Sequence, residues 1–446
     1  MDGHAGSTGK TRPGWLAFLR ACALLGLTGF GGGLAILAQA GDLFARKRWL
    51  TEREWLHTAT VAQLLPGGAA TNALAYVGLR FFGPLGGLAA VFVYVTPAAA
   101  MMIAFGFGYG HVHEVPHLDV LLAGFNAGVV GLVVAVTWRL GQQGLRRGWQ
   151  AVLAALALSL ERLGHATVLE VIFFGILSGL AADSVQKGLR LRARRKTKAR
   201  STLAPEEEDP GLPAPGADPV EPPDPAPPPE SPPGGSGLNS LLLLLPREPA
   251  FLKRKFQALL VFLGVSGLAA PLTFTLFFTF ARVGAVAYGG GFTIVPLLER
   301  EAVEQHAWIT HQEFADAIAL GQVTPGPVII AATFIGTRAG GVLGGIFATL
   351  GVFGVPALMV IFGGAWIDRW RRTRAVKAAL RGLVPAVVGM MAAAAFGLAG
   401  AGIHDEASVV LAAVAFASVA QFRLNPAVVV LLSGVVRVTL SLVANV

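Results

Sequence analysis

The stretch "QLLPGGAATNALAY", Gln63 to Tyr76, is apolar enough for a lipid bilayer yet carries Pro66-Gly67-Gly68 in its first half. Proline removes a backbone donor and glycine loosens the chain, so this triplet ends any helix that reaches it. A second stretch, "QVTPGPVIIAATFI", Gln322 to Ile335, repeats the design with Pro325-Gly326-Pro327. Membrane-type helices are thus interrupted twice, at matching places.

The surrounding composition fits a membrane. The chain has 446 residues, 54% hydrophobic and 14% charged, with a mean hydropathy of +0.62, which excludes a water-soluble domain built on one core. Apolar runs near the ~20 residues needed to span a bilayer recur around 15–39, 58–80, 84–107, 118–138, 257–297, 314–337, 341–364, 378–402 and 406–443. Cys22 is the only cysteine, so an intrachain disulfide and a thiolate metal set are excluded. Much of the +9 net charge lies in "KGLRLRARRKTKAR", 187–200, directly after an apolar segment, where it marks a cytoplasmic side better than a nucleic-acid surface. Lys10 and Arg12 precede an apolar region ending in Ala38-Gln39-Ala40, which resembles a signal-peptide site. The same segment design recurs deep inside the chain, which favours a retained helix.

"GFGGGLAILAQAGDLFARKRWLTEREWLHTATVAQLLPGG" from Gly29 parallels "AYGGGFTIVPLLEREAVEQHAWITHQEFADAIALGQVTPGP" from Ala287. An offset of 259 pairs Trp49 with Trp308, Glu54 with Glu313, Gln63 with Gln322, Pro66 with Pro325, Gly86 with Gly345 and Pro97 with Pro356. The chain is a duplicated module: a polar tail 1–14, a first repeat 15–182, a basic then Pro-rich acidic linker 183–255, an added crossing 256–272 and a second repeat 273–446. The linker's middle is too polar and proline-rich to pack a core.

Charges in equivalent loops have opposite bias. Arg46, Lys47, Arg48 and Arg53 face Glu299, Glu301 and Glu304 with Arg300 alone; the Lys/Arg-free "GHVHEVPHLD" from Gly110 faces Arg369, Arg371, Arg372, Arg374 and Lys377; Arg139, Arg146 and Arg147 face "GIHDEAS" from Gly402. Since Lys and Arg stay cytoplasmic, the expected fold is an all-α polytopic membrane protein of two inverted-topology repeats. The same bias requires that only one of 58–80 and 84–107 crosses. The breaker segment is then a re-entrant helical hairpin with Pro66-Gly67-Gly68 at its tip, and "GFGGG" and "YGGG" mark a second break in each copy.

A half-helix starting inside the bilayer offers unpaired N–H groups and a partial positive charge, which attract anions. The candidate binding residues are Gln63, Pro66, Gly67, Gly68 and Asn72 in the first copy, with Thr71 beside them, and Gln322, Thr324, Pro325, Gly326 and Pro327 in the second, with Thr333 nearby. Arg282 is the candidate for drawing in a dianion, whereas Arg80 and Arg338, near segment ends, read as snorkelling to headgroups. Glu54 and Glu313 are candidate coupling carboxylates, but "TERE" and "THQE" also spell capping boxes, the favoured reading. His111, His113 and His117 read as loop residues without a ligand set. No catalytic dyad, phosphate loop or metal cluster appears, so neither an enzyme nor a cofactor is expected.

Together "GFGGG", "RWLTEREW" and Q-x-x-P-G, with "RVGAVAYGGGFTIVPLLERE", W-I-T-x-x-E-F-x-D-A-I-A-L-G-Q-V-T-P-G-P and "ATFIGTRAGG", closely resemble the chromate ion transporter family in its two-domain, long-chain form. The resemblance covers about residues 15–140 and 273–400. It implies export of chromate across the bacterial cytoplasmic membrane, with chromate resistance as the result and sulfate as the natural lookalike. Gly68 replaces the second proline of P-G-P, and Gly33 stands where proline is common. The residues alone specify only an oxyanion-sized dianion; a transporter of sulfate or another small anion and a passive channel stay as alternatives. The bilayer and a second copy of the chain are the candidate partners, with no nucleic acid.

Overall fold

The computed structural model describes residues 11–63, 65–163, 168–201, 272–287, 291–370 and 373–444. The polar tail before residue 11, the Pro-rich linker and nearly all of the added crossing at 256–272 lie outside them, as do Tyr288, Gly289 and Gly290. Every regular element among the described residues is helical, and five stretches are long and apolar enough to cross a bilayer: 69–111, 118–144, 328–363, 374–402 and 426–443. The protein is an all-α polytopic membrane protein.

The first repeat contains α1 (Trp15–Thr28), α2 (Gly32–Arg46), α3 (Glu52–Gln63), α4 (Ala69–Gly108), α5 (Leu118–Gly144), α6 (Gly148–Arg162) and α7 (Val168–Ser201). Helix α7 runs without interruption through the basic stretch 187–200, so those charges ride on a helical extension. The second repeat contains α8 (Leu272–Val286), α9 (Val295–Glu299) with a π-helical turn Arg300–Gln305, α10 (His311–Val323), α11 (Ala331–Trp370), α12 (Arg374–Gly402), α13 (Glu406–Ala420) and α14 (Pro426–Ala444).

Helix α4 is two antiparallel arms. Gly83 has φ 75 and ψ −166, outside the helical region. In a straight helix Gly78 and Gly86 would stand about 12 Å apart, yet a Cβ on Gly78 would collide with the Gly86 carbonyl. Helix α11 reverses likewise at Gly340 and Gly341, and there Gly336 meets Gly344. At 1.5 Å per residue, α3 and the 69–82 arm reach only roughly 18–21 Å, whereas the 84–108 arm reaches roughly 37 Å. Only the last can cross a ~30 Å hydrocarbon core, so one crossing, not two, follows the first breaker.

Ion pairs close the open ends of these short hairpins. Glu54, at the start of α3, bonds Arg80, at the end of the 69–82 arm, at 2.6 Å. Glu313, at the start of α10, bonds Arg338 at 2.8 Å. The open ends of the two legs therefore lie side by side, with the Pro-Gly tip at the far end of each hairpin. Arg80 and Arg338, expected to snorkel to headgroups, instead bridge hairpin legs. The α1–α2 pair also reverses, around Gly29 to Gly31: the Thr11 amide donates to the Arg48 carbonyl at 3.2 Å and its hydroxyl to the Lys47 carbonyl at 3.0 Å. The apolar run 15–39 is thus one leg and part of another, rather than a single crossing.

Close contacts also fix the register of the duplication. Gly26 meets the Tyr94 carbonyl as Gly284 meets that of Val352, and Gly131 meets Ala412 as Gly389 meets Ala154. All these pairs have an offset of 258. The value of 259 holds from Trp49 to Gly67, so Gly86 corresponds to Gly344 and Ala98 to Pro356, correcting the Gly345 and Pro97 assignments. One residue gained after the triple glycine is lost again just past the tip.

Candidate anion site

The tips are held by local and by cross-repeat bonds. Asn72, on the first turn after Pro66, turns its amide nitrogen back to the carbonyls of Ala62, Leu65 and Pro66 at 3.2, 3.3 and 2.9 Å, capping the end of α3. Gly67 and Gly326 have φ of 103 and 128, which side-chain-bearing residues rarely adopt. The Gly67 N–H donates to the Ala287 carbonyl at 2.6 Å, and the Gly326 N–H to the Gly29 carbonyl at 2.8 Å. Each tip thereby bonds to the end of the first helix of the other repeat, at equivalent residues. Packing repeats the exchange: a Cβ on Gly67 would lie 2.6 Å from Pro356 Cβ, and one on Gly326 would lie 2.9 Å from Ala98 Cβ. When residue i of one unit meets j of the other and j meets i, a two-fold axis relates the units.

These contacts reassign several candidates. Gly67 and Gly326 were expected to let a ligand approach the backbone; their N–H groups and α-carbons are taken up by the other repeat. Asn72 serves the α3 carbonyls through its nitrogen. Gln63 is exposed, while its counterpart Gln322 is buried and its Nε2 has no partner. Thr71, one turn into the 69–82 arm, is likewise buried with an unpartnered hydroxyl. The Thr324 hydroxyl donates to the Leu320 carbonyl at 2.7 Å, and Thr333 meets Thr349 at 2.7 Å across the α11 reversal. Pro66 and Pro325 end α3 and α10, and Gly68 and Pro327 share one extended conformation, φ −72, ψ 128 and φ −78, ψ 136. Loss of the second proline therefore leaves the first tip's path unchanged.

Arg282 pairs with Glu301 at 3.5 Å, so its charge is already met. Glu54 and Glu313 each close a capping box: the Thr51 and Thr310 amides donate to them at 3.0 and 2.9 Å, and each carboxylate also holds an arginine. No Asp or Glu occurs in 26–40, 59–79, 283–298 or 317–345, the sequence around all four breaks. The breaks thus lie in sequence rich in neutral donors and free of carboxylates. A buried unpaired donor costs about 1–3 kcal/mol, which an incoming acceptor would relieve. Two donors of this kind, Thr71 and Gln322, flank the first turns of two half-helices.

One polar cluster was not foreseen. Asp316, on α10 and 2% exposed, accepts from the Tyr109 hydroxyl, from Asn126 Nδ2 at 2.6 Å and from Gln312 Nε2 at 3.4 Å. It borders a cavity of about 530 Å³ lined also by Asp119, Glu313 and Arg338. The signal was present as a lone carboxylate in an apolar helix, "FADAIAL", three residues past the capping glutamate.

The chromate transporter family profile matches residues 16–180 and 274–438, two stretches with the 258 offset seen in the packing. The chromate transport protein of Cupriavidus metallidurans is 24% identical over 424 residues, 94% of this chain and 90% of that one. The chromate transport protein of Pseudomonas aeruginosa is 27% identical over 420 residues, 92% and 88% of the two chains. A Bacillus subtilis protein described as an uncharacterized transporter is 26% identical over 160 residues, 35% of this chain but 90% of its own, the size of a single repeat. No solved structure matches. With both repeats matched across most of the chain, the protein belongs to the chromate transporter family.

Proposed function

We propose that the protein is a secondary transporter that exports chromate, as a dianion, across the bacterial cytoplasmic membrane by alternating access between two inverted repeats. The observation that carries this reading is the reciprocal docking of each Pro-Gly tip on the other repeat, with the unpaired buried donors Thr71 and Gln322 near the tips and no carboxylate in the surrounding sequence. Inversion is supported by the 84–108 arm, which starts at the Glu54–Arg80 hairpin mouth and ends at Tyr109, beside Glu313–Arg338. The two mouths thus lie at opposite ends of one crossing. Arg46, Lys47, Arg48 and Arg53 lie in sequence around the first mouth, while the 110–119 loop near the second has no Lys or Arg, which supports a cytoplasmic first mouth.

In this mechanism chromate accepts from Gln322 Nε2, Thr71 Oγ1 and the first-turn N–H groups of the two half-helices. Neutral donors bind a dianion without trapping it. Rocking one repeat against the other exposes the shared site to each side in turn. A cytoplasm-negative potential favours outward movement by about 2.3 kcal/mol per charge per 100 mV. The relatives named chromate transport proteins support chromate as the ion, and export would confer chromate resistance.

The test is chromate uptake into energised inverted vesicles with sulfate as competitor. Concentrative uptake that sulfate leaves intact is expected, and Gln322→Ala should weaken it about tenfold, the cost of one buried hydrogen bond to a charge. Flux only down the gradient would make the protein a channel, and sulfate moving in preference to chromate would change the cargo.

A further inference from the structure

We propose that Asp316 is the proton-binding group of the transport cycle, a carboxylate of the second repeat that accepts from Tyr109 and Asn126 of the first while ionised and forces those bonds to rearrange when protonated. The inference rests on the transport reading above and adds the coupling ion.

The groups reaching Asp316 are all donors: the Tyr109 hydroxyl, Asn126 Nδ2 and Gln312 Nε2. An ionised carboxylate, which only accepts, suits them. Among the described residues no cation is bonded to Asp316. Arg338 is bonded to Glu313 at 2.8 and 3.1 Å and lies over the Tyr109 ring at 5.3 Å. Asp119, at the start of α5, lines the same cavity and adds negative charge. From α14, Arg437 is held by Asp405, and from α9 Glu299 is paired with His311. The 382–402 stretch of α12 contains no titratable residue. Burial without a counter-charge on the carboxylate favours its neutral form.

The protonated form also has somewhere to donate. Asn126 is 2% exposed, and its Oδ1 is buried without a partner, the acceptor a neutral carboxyl requires. Protonation adds a donor to a site where Asn126 Nδ2 and Gln312 Nε2 can only donate, so the bonds must rearrange, with the Tyr109 hydroxyl or Asn126 Oδ1 turning acceptor, and both residues belong to the first repeat. The cavity of about 530 Å³ opens beside Gly110 and Thr310, at the end of the molecule carrying the Lys/Arg-free loop, and supplies the route for the proton. The repeat equivalent of Asp316 is His57, so the carboxylate occurs once, at one end only. A proton entering there from outside, opposite to chromate leaving, is antiport.

The test uses the full-length protein in liposomes with a trapped pH dye and chromate as the only transported anion. Chromate movement should bring opposite proton movement. Asp316→Asn should lose proton movement and at least about tenfold of pH-driven accumulation while still exchanging chromate for chromate; if it moves protons as the parent does, the inference is overturned. Tyr109→Phe keeps the carboxylate and removes one donor to its ionised form, so the midpoint of the pH profile should rise by about one unit, roughly the tenfold carried by such a bond. An unchanged midpoint also overturns it, and this variant decides if Asp316→Asn does not fold. Parent protein that moves chromate without protons refutes the inference and leaves the transport reading standing. Parent protein that moves no chromate sinks both.

Discussion

Gly67 and Gly326 each combine a positive φ with a neighbour from the other repeat at the α-carbon. Gly67→Ala should cost about 2–4 kcal/mol, backbone strain and overpacking against Pro356 adding together. The check is the thermal midpoint in detergent, with Gly108→Ala as control, since a Cβ at Gly108 meets nothing within 4 Å. A control that falls as far as Gly67→Ala would assign the loss to helix composition instead. The Pro-Gly signature made the tips legible, because at 66 and 325 proline is followed by a glycine free to take a positive φ, whereas Pro97, Pro356 and Pro385 lie inside helices. The glycines' use was not legible: their partners lie hundreds of residues away, and nothing local distinguishes room for a ligand from room for Pro356. Gln322 and Thr71 were named as donors, but that each keeps a buried polar atom without a partner, as Arg282 does at Nε, depends on packing.

At the scale of the hairpins, stability comes from three linked devices: a capping box at the entry, an asparagine or threonine bond at depth, and an arginine clasp across the mouth. Double-mutant cycles on Glu313 and Arg338, with side chains 17% and 30% exposed, should give a coupling of about 1–3 kcal/mol. The same cycle on Glu54 and Arg80, 22% and 46% exposed, should give about 1 kcal/mol or less, because solvent screens it. Equal couplings would mean that the two mouths are equally buried. The T-x-x-E spacing revealed the boxes directly, since both partners lie within one turn. The clasp spans a chain reversal, so Arg80 and Arg338 looked like interfacial cations. Asp316 was missed for a related reason: two of its three donors, Asn126 and Tyr109, come from α5 and from the turn before it, in the other repeat.

For the whole molecule, duplication and loop charges carried most of the reading. Matching Trp49 with Trp308 located the repeat, and opposing Lys/Arg bias predicted a single crossing after the first breaker, with which the reversal at Gly83 is consistent. The exact register needed contacts, because single gains and losses of a residue leave motif spacing almost unchanged. The central claim is that the repeats insert in opposite senses, bringing two tips to one place. Replacing Cys22 with Ala and introducing single cysteines at Lys47 and at Gln305 tests it with an impermeant thiol reagent on intact cells. Labelling at Gln305 and none at Lys47 is the predicted result; labelling at both positions would contradict it.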